Sequence, residues 1–399
     1  MSASLHKELL ARSARLSVVP PGWHLATVGE VCAIRNDLRK PISREERKGM
    51  RGIYPYYGPT GVLDHINEYR LDDTYALIGE DGDHFLEYTT KQQTQLVRGK
   101  ANVNNHAHVI ESTAQCTAEW FFNFFRHRNI TDFLSRQGAG RYKLNKETLE
   151  RLPILVPPTS MQEAINCMIS IWDTAIEKTE QLIVATERHY THELSRLISR
   201  VQHDQHHISE FTREVSERNR DGACERVLSV TNNRGFVLPE HQFERRVASE
   251  DLSNYKVVRK GQYAYNPSRI NVGSIARLGD FEMGVLSPMY VVFALNEAKV
   301  NSNFFKHWLD SHEARERIKR SAQGSVRETV SFSDFAAIRF PLASLEKQQK
   351  IANYLNARRE EIALLAAYAG RLKEQKRGLM QKLLSGQWRV KVPEGAEVA

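Results

Sequence analysis

The sequence predicts an α/β (α+β) protein organised as a pseudo-twofold repeat, in which two mixed domains are separated by two long helices pairing as an antiparallel coiled coil. Three observations carry this reading. The chain has 399 residues, 41% hydrophobic and 26% charged, which suits two or three packed domains at roughly 150 residues each. Displaced by 186 positions, the sequence aligns with itself without a gap, Gln137–Ser199 over Gln323–Ser385, and a repeat of this kind decides the fold before any local signal does. The repeated stretches also share a heptad stripe at one register.

Within the repeat, Gln137-Gly138 falls on Gln323-Gly324, Arg141 on Arg327, Leu149 on Phe335, Gln162 on Gln348, Ile165 on Ile351, Ile176 on Ile362 and Leu197 on Leu383. Spacing of 3 and 4 from Ile165 gives Ile165, Ile169, Trp172, Ile176, Thr179, Ile183, Thr186, Tyr190, Glu193 and Leu197. The second copy gives Ile351, Leu355, Arg358, Ile362, Leu365, Ala369, Leu372, Lys376, Leu379 and Leu383. Apolar residues dominate both lists, as a paired-helix seam requires. Pro157-Pro158 before Ser160-x-x-Glu163 reads as a capping box that opens the first helix, Ser344 caps the second, and Gly386 ends it,.

The halves upstream of the helices diverge. Turn residues recur at Tyr57-Gly58-Pro59-Thr60-Gly61 and Gly79-Glu80-Asp81-Gly82-Asp83, between strands at Tyr75–Ile78 and His106–Ile110,. In the second half, strands are expected at Tyr263–Pro267, Ser274–Leu278 and Tyr290–Leu295, with a hairpin-like turn at Asn232-Asn233-Arg234-Gly235. Trp120, Phe121, Phe124 and Phe125, matched loosely by Phe304, Phe305 and Trp308, have helical spacing and are assigned to the core. These boundaries divide the chain into an N-terminal helical arm (1–20), a first domain (21–157), a first long helix (158–203), a second domain (204–342), a second long helix (343–389) and a tail (390–399).

Composition narrows the function. Against 48 Asp and Glu stand 56 Lys and Arg, a net charge of +8 that favours a polyanionic partner such as nucleic acid. No stretch has the run of about 18 apolar residues that a membrane span needs, and His6, Lys7 and Glu8 occupy the place of a signal peptide's apolar core,. A cytoplasmic, non-membrane protein is expected. Cys32, Cys116, Cys167 and Cys224 form no C-x-x-C pair and are read as ordinary thiols,. Glu80-Asp81-Gly82-Asp83-His84 and His106-x-His108 hold metal-ligand residue types, with both histidines expected on one face of a strand. No fixed third ligand accompanies them, and the second half has no equivalent,. Phosphate-binding, dinucleotide and nucleophile-elbow motifs are missing as well.

Several stretches resemble the specificity subunit of type I restriction-modification systems. They are Ile53-Tyr54-Pro55-Tyr56-Tyr57-Gly58-Pro59-Thr60-Gly61 with Leu77-Ile78-Gly79-Glu80-Asp81-Gly82, Val103-Asn104-Asn105-His106-Ala107-His108-Val109, Tyr265-Asn266-Pro267-Ser268-Arg269-Ile270-Asn271-Val272-Gly273, and the closing Gln375–Gly386. The resemblance runs from about Pro21 to Val392. It implies that each divergent domain is a target recognition domain reading one half of a bipartite site in double-stranded DNA, with the helices as spacer. It implies a chain without catalysis or cofactor of its own. S-adenosylmethionine, ATP and Mg2+ would belong to partners: two methylation (M) subunits, and restriction (R) subunits. A related system with a combined restriction-methylation polypeptide, and a coiled-coil adaptor that binds no DNA, are the alternatives.

Groove edges and phosphates are met by Arg, Lys, Asn, Gln and small polar side chains. The candidates in the first domain are Tyr57, Lys91, Gln92, Arg98, Lys100, Asn104, Asn105 and His106. In the second they are Asn232, Asn233, Arg234, Ser268, Arg269 and Asn271. Arg141 and Arg327, equivalent in the repeat, are expected on the DNA backbone near the helix junctions.

Overall fold

The computed structural model describes residues 18–136, 141–199, 204–238, 251–322 and 329–390. Residues 1–17 of the expected arm and 391–399 of the tail lie outside this range, as do the repeated Gln-Gly pairs. The chain divides into two units. One comprises residues 1–178 and 369–399, the other residues 179–368, so each unit owns a part of both long helices.

The first unit contains β1 (His24–Thr27), α1 (Val28–Val31), β2 (Ala33–Ile34), α2 (Arg44–Lys48), β3 (Arg51–Tyr57), β4 (Val62–Ile66), β5 (Leu71–Gly79), β6 (Thr94–Val103), β7 (Ala107–Glu111), α3 (Ala118–Phe125), β8 (Ser135–Arg136), β9 (Tyr142–Lys143), α4 (Lys146–Arg151) and β10 (Pro153–Val156). From it emerges α5 (Thr159–Leu194). Six strands form one sheet in the order β2-β7-β5-β6-β3-β4, antiparallel except for the β3–β6 pair. The central strand β5 is apolar on both faces. Leu71, Tyr75 and Leu77 pack with Val97 and Val109, whereas Ala76 and Ile78 face the cluster built on Trp120 and Phe124, as the two-residue period of a strand requires.

The second unit contains β11 (Asp204–His207), β12 (Thr212–Val215), β13 (Ser229–Thr231), β14 (Gly235–Val237), β15 (Lys256–Arg259), β16 (Tyr263–Tyr265), β17 (Ile275–Arg277), β18 (Met283–Leu286), β19 (Val291–Leu295), α6 (Ser302–Asp310), α7 (His312–Ala322), α8 (Phe332–Ala336) and β20 (Arg339–Leu342), followed by α9 (Leu345–Leu384). A four-stranded sheet, β12-β19-β16-β17, is flanked by the pairs β13-β14 and β15-β18.

Each unit repeats the other around one polar bracket. Thr117 caps α3 by accepting from Trp120 N, and Asn301 caps α6 by accepting from Phe304 N at 3.0 Å,. Gln162, fully buried, accepts from Thr117 N at 2.9 Å and donates to the carbonyls of Gln115 and Pro157. Gln348, also fully buried, accepts from Asn301 N at 2.7 Å and donates to those of Lys299 and Ala343. One amide thus satisfies a backbone N–H and two carbonyls that burial would otherwise leave unpaired, each worth about 1–3 kcal/mol. It fixes the aromatic helix to the start of the long helix in both repeats.

All described positions of the heptad lists are buried or half-buried, so the expected register is the observed one. The order of partners reverses along the helices, Asp173 meeting Lys376 in the first unit and Tyr190 meeting Arg359 in the second. The helices are therefore antiparallel. Ser344 caps α9 through Lys347 N, and Gly386, with φ +69°, follows its last turn. One boundary differs from expectation. α5 opens at Thr159, with Met161 N and Gln162 N both bonded to the carbonyl of Pro158, so Ser160 lies inside the first turn and does not cap it.

The seam carries a charged network in each unit, at equivalent positions and with inverted sign. In the first, Asp173 accepts from Arg126 at 2.8 Å and from Lys376, whose side chain is only 8% exposed. In the second, Arg359 donates to Asp310 at 2.6 Å and to Tyr190 Oη at 2.9 Å. Measured from the caps and along the 186-residue repeat, Arg126 answers to Asp310, Asp173 to Arg359 and Lys376 to Tyr190.

His307 continues the second network. Its ring lies between Tyr190 Oη at 3.1 Å and Asn356 Oδ1 at 2.9 Å. Tyr190 already accepts from Arg359, so its hydroxyl donates to Nδ1 and Nε2–H donates to Asn356, which fixes the neutral tautomer. Burial, with Arg359 and Lys306 nearby, pushes the His307 pKa down to about 4 despite the bond to Asn356 and the charge of Asp310. Between pH about 6.5 and about 4 the unfolded chain binds a proton that the folded chain refuses, so folding loses roughly 1.4 kcal/mol per pH unit there, about 3 kcal/mol in all. Urea midpoints at pH 7 and pH 5 should fall less for His307→Gln than for the wild type. Equal falls would show that His307 is not held neutral.

Candidate nucleic-acid interface

In the first unit the expected residues spread over two adjoining clefts and a rim. Tyr57, Gln92 and Arg98 line a cavity of about 790 Å³ between the β3–β4 turn, β6 and the helices α3 and α5. Its helical wall presents Glu119, Glu163, Asp173 and Glu177, which repel phosphate. Lys91 and Gln92 line a second cavity of about 510 Å³ with Arg126, Lys373, Lys376 and Arg377, where Asp173 is the one carboxylate on the wall. Gln92 stands between the two, accepting from Arg126 Nε at 3.1 Å. The phosphate-attracting side is therefore the one that holds Lys91, whose ammonium is paired with Glu87 one turn away at 2.8 Å.

The rim is formed where β6 passes into β7. Asn104 is buried, and its Oδ1 accepts from His106 N at 2.8 Å, so this side chain shapes the turn. Asn105 is exposed, and its carbonyl accepts from Arg39, which also pairs with Glu80 at 2.7 Å. His106 meets Asp81 at 3.0 Å. Lys100 lies over the Tyr69 ring, 4.5 Å from its centre, and lines neither cavity. Arg141 is exposed beside β9.

The two histidines do not share a face. β7 starts at Ala107, which leaves His106 exposed in the turn, whereas His108 is buried between Asn36 at 2.9 Å and the Leu144 carbonyl at 2.8 Å. Among the described residues no three His, Cys, Asp or Glu side chains converge as a metal site. Cys32, Cys116 and Cys224 are buried free thiols, and Cys167 is exposed.

In the second unit three of the expected residues line one cavity and three lie on a neighbouring loop. Asn232, Asn233 and Arg234 occupy the β13–β14 turn, as the sequence predicts, and line a cavity of about 560 Å³. Ser268, Arg269 and Asn271 are exposed on the neighbouring loop, which closes on the turn at Gly273. There φ is +93°, and a Cβ would stand 3.8 Å from that of Asn232. A side chain at this position would be strained. The same cavity gathers Arg277, Lys306 and Arg315, with the Arg359–Asp310 ion pair on its wall and Asp280 opposing them. Sequence reasoning missed these three. Each lies inside a different regular element, and only the fold brings them together. Arg327 lies outside the described residues.

Two repeated modules, each a loop-decorated sheet with cationic clefts and each joined by a buried glutamine to a long helix, define a pseudo-twofold scaffold. Residues 20–187 match the family model described as the type I restriction modification DNA specificity domain. A Haemophilus influenzae chain, described provisionally as a type I restriction enzyme specificity subunit, is 34% identical over 136 residues, 34% of each chain. The Escherichia coli EcoprrI specificity subunit is 25% identical over 151 residues, 37% of this chain and 35% of its own. The chain thus matches about a third of the length of these two relatives. The MjaVIII specificity subunit of Methanocaldococcus jannaschii is 19% identical with 94% of both chains covered. The crystal structure of a type I restriction-modification S subunit from M. genitalium shares the fold, with a TM-score of 0.58 at 14% identity over 90% of this chain and 96% of that one. Over residues 20–187 the chain is similar to the DNA specificity domain of type I restriction-modification systems. No helix among the described residues is long and apolar enough to cross a membrane.

Proposed function

We propose that this chain is the non-catalytic, DNA-reading subunit of a type I restriction-modification complex. Each recognition domain reads one half of a bipartite duplex target. Two methylation subunits and the restriction subunits assemble on the chain and supply the chemistry that needs S-adenosylmethionine, ATP and Mg2+. The observation that carries the reading is the second unit's cleft, where an Asn-Asn-Arg turn and the basic side chains of Arg277, Lys306 and Arg315 line one space, with the exposed Ser268, Arg269 and Asn271 on the loop beside it. Amide and guanidinium groups are those that pair bidentately with adenine and guanine edges, and the surrounding cations suit phosphates.

The test is duplex binding by fluorescence anisotropy over a range of salt, with methylome sequencing of cells that express the chain and its methylation subunit. Affinity should fall steeply with salt. Arg234→Ala should relax one half of the methylated motif by about 1–3 kcal/mol of discrimination and leave the other half unchanged. A coiled-coil adaptor would instead show no salt-dependent duplex affinity.

A further inference from the structure

We propose that two cavities at equivalent places in the two repeats are seats for a partner protein bound in two copies, each copy inserting an apolar side chain flanked by a carboxylate. The proposal rests on the reading that methylation subunits assemble on this chain, and it names where and by what chemistry they hold it.

The cavities are equivalent by the same repeat that relates the two glutamine brackets. Counted from the caps Thr117 and Asn301, Arg128 answers to His312 at the end of the aromatic helix. On the long helices, Arg377, Met380 and Gln381 answer to Thr191, Leu194 and Ser195. In the first unit the space measures about 440 Å³, with Phe124, Met380 and Leu384 as its apolar floor. Arg128 lies flat on the Phe124 ring, 3.9 Å from its centre, and its Nε donates to the Phe124 carbonyl. Its guanidinium meets no carboxylate among the described residues. Asn123, 5% exposed, spends its amide hydrogen on Asn166 at 2.9 Å, and its Oδ1 has no donor. A guanidinium that lacks an anion therefore stands beside a buried acceptor that lacks an N–H. An acidic peptide segment supplies both groups.

In the second unit the space measures about 690 Å³, with Leu194 contributing to its floor. Arg317 and Arg359 are already engaged by Glu313 and Asp310. Arg315 and Arg320 have no side-chain partner among the described residues and outnumber Glu316 on the same wall.

Two observations favour a protein over nucleic acid. Among the described residues, neither cavity contains one that the sequence nominates to read DNA, and each shares only part of its wall with a neighbouring cleft, through Arg377 in the first unit and Arg315 in the second. A concave space of several hundred Å³ with an apolar floor also gains by burying hydrocarbon, which a phosphodiester backbone does not offer. Recurrence in both repeats fits two copies of one partner.

The experiment measures, by light scattering after size exclusion, how many methylation subunits the full-length chain binds, with duplex affinity recorded in parallel. Gln381→Glu changes an exposed residue that lines the first cavity and not the cleft of Lys91, and Arg320→Glu avoids Arg315, which also lines the cleft of the β13–β14 turn. Each variant should bind one methylation subunit where the wild type binds two, and the double variant none, with duplex affinity of the isolated chain unchanged within about twofold. Arg128→Ala, read against its unfolding midpoint, should match Gln381→Glu. Retention of two subunits by Gln381→Glu and Arg320→Glu would overturn the proposal. So would loss of duplex affinity at unchanged stoichiometry, which would mark the cavities as phosphate seats. Failure of the wild type to bind any methylation subunit would overturn the parent reading as well.

Discussion

Asp173→Ala should destabilise the protein by about 3–5 kcal/mol, because it strands Lys376 inside the helix seam with no counter-ion. Asp173 is the only carboxylate that touches Lys376 among the described residues, and it also holds Arg126. Removing one member of a buried pair costs far more than the pair contributes, since the surviving charge keeps its desolvation penalty. The double variant Asp173→Ala/Lys376→Met should recover most of the loss, because methionine fills the space of the lysine stem without the ammonium. Urea unfolding of the wild type and both variants measures this; a single variant as stable as the wild type would remove the network from the forces that hold the seam. The pH dependence has a definite sign. Burial pushes the Asp173 carboxyl up, but Arg126 and Lys376 outweigh it and hold it below its ordinary 3.8. Its contribution is therefore complete above about pH 4 to 5 and is lost as pH falls through the depressed folded-state value.

Exchange of the segment from Val227 to Pro288 for that of a relative should replace one half of the recognised motif and leave the other untouched. Within the segment Leu228, Val230, Phe236, Val258, Leu278 and Leu286 pack together with Tyr290 and Val292. Tyr263 and Tyr265 pack outward on Phe293, Phe305 and Phe335, so the incoming segment must keep aromatic residues at those two positions. It also carries all six expected reading residues of the second unit, with Arg277 beside them. Each base pair of the old half-site that is no longer read forfeits roughly 1–3 kcal/mol of discrimination, so the old motif should disappear from the methylome. A change in both halves would show that the domains do not read independently.

The helices and their pairing were legible in the sequence because a seam repeats every three to four residues over tens of positions, and a single period fixes its register. The aromatic helices were legible for the same reason, and the Asn232–Gly235 hairpin because its turn chemistry is local. Ser160 misled because proline and a capping box lie adjacent, and the proline carbonyl took the role given to the serine. His106 and His108 misled because a strand that starts one residue later converts a shared face into one exposed and one buried ring. The basic side chains of the second cleft could not be found at all. Arg277, Lys306 and Arg315 come from a strand and two helices, and nothing local distinguishes them from solvated charges.

The inverted networks on the seam bear on how such a chain can evolve. A gene that duplicated its first half would place Asp173 opposite Tyr190 in both copies. Arg126 would still neutralise the carboxylate, and the hydroxyl could donate to it. A gene that duplicated its second half would place Arg359 opposite Lys376 in both copies, and Asp310, bonded to the guanidinium, would not reach the ammonium. A duplicated first half would therefore tolerate its own copy across the seam and a duplicated second half would not, so the reversal of charge at the centre of the second network gives each helix one proper mate and fixes the order of the halves.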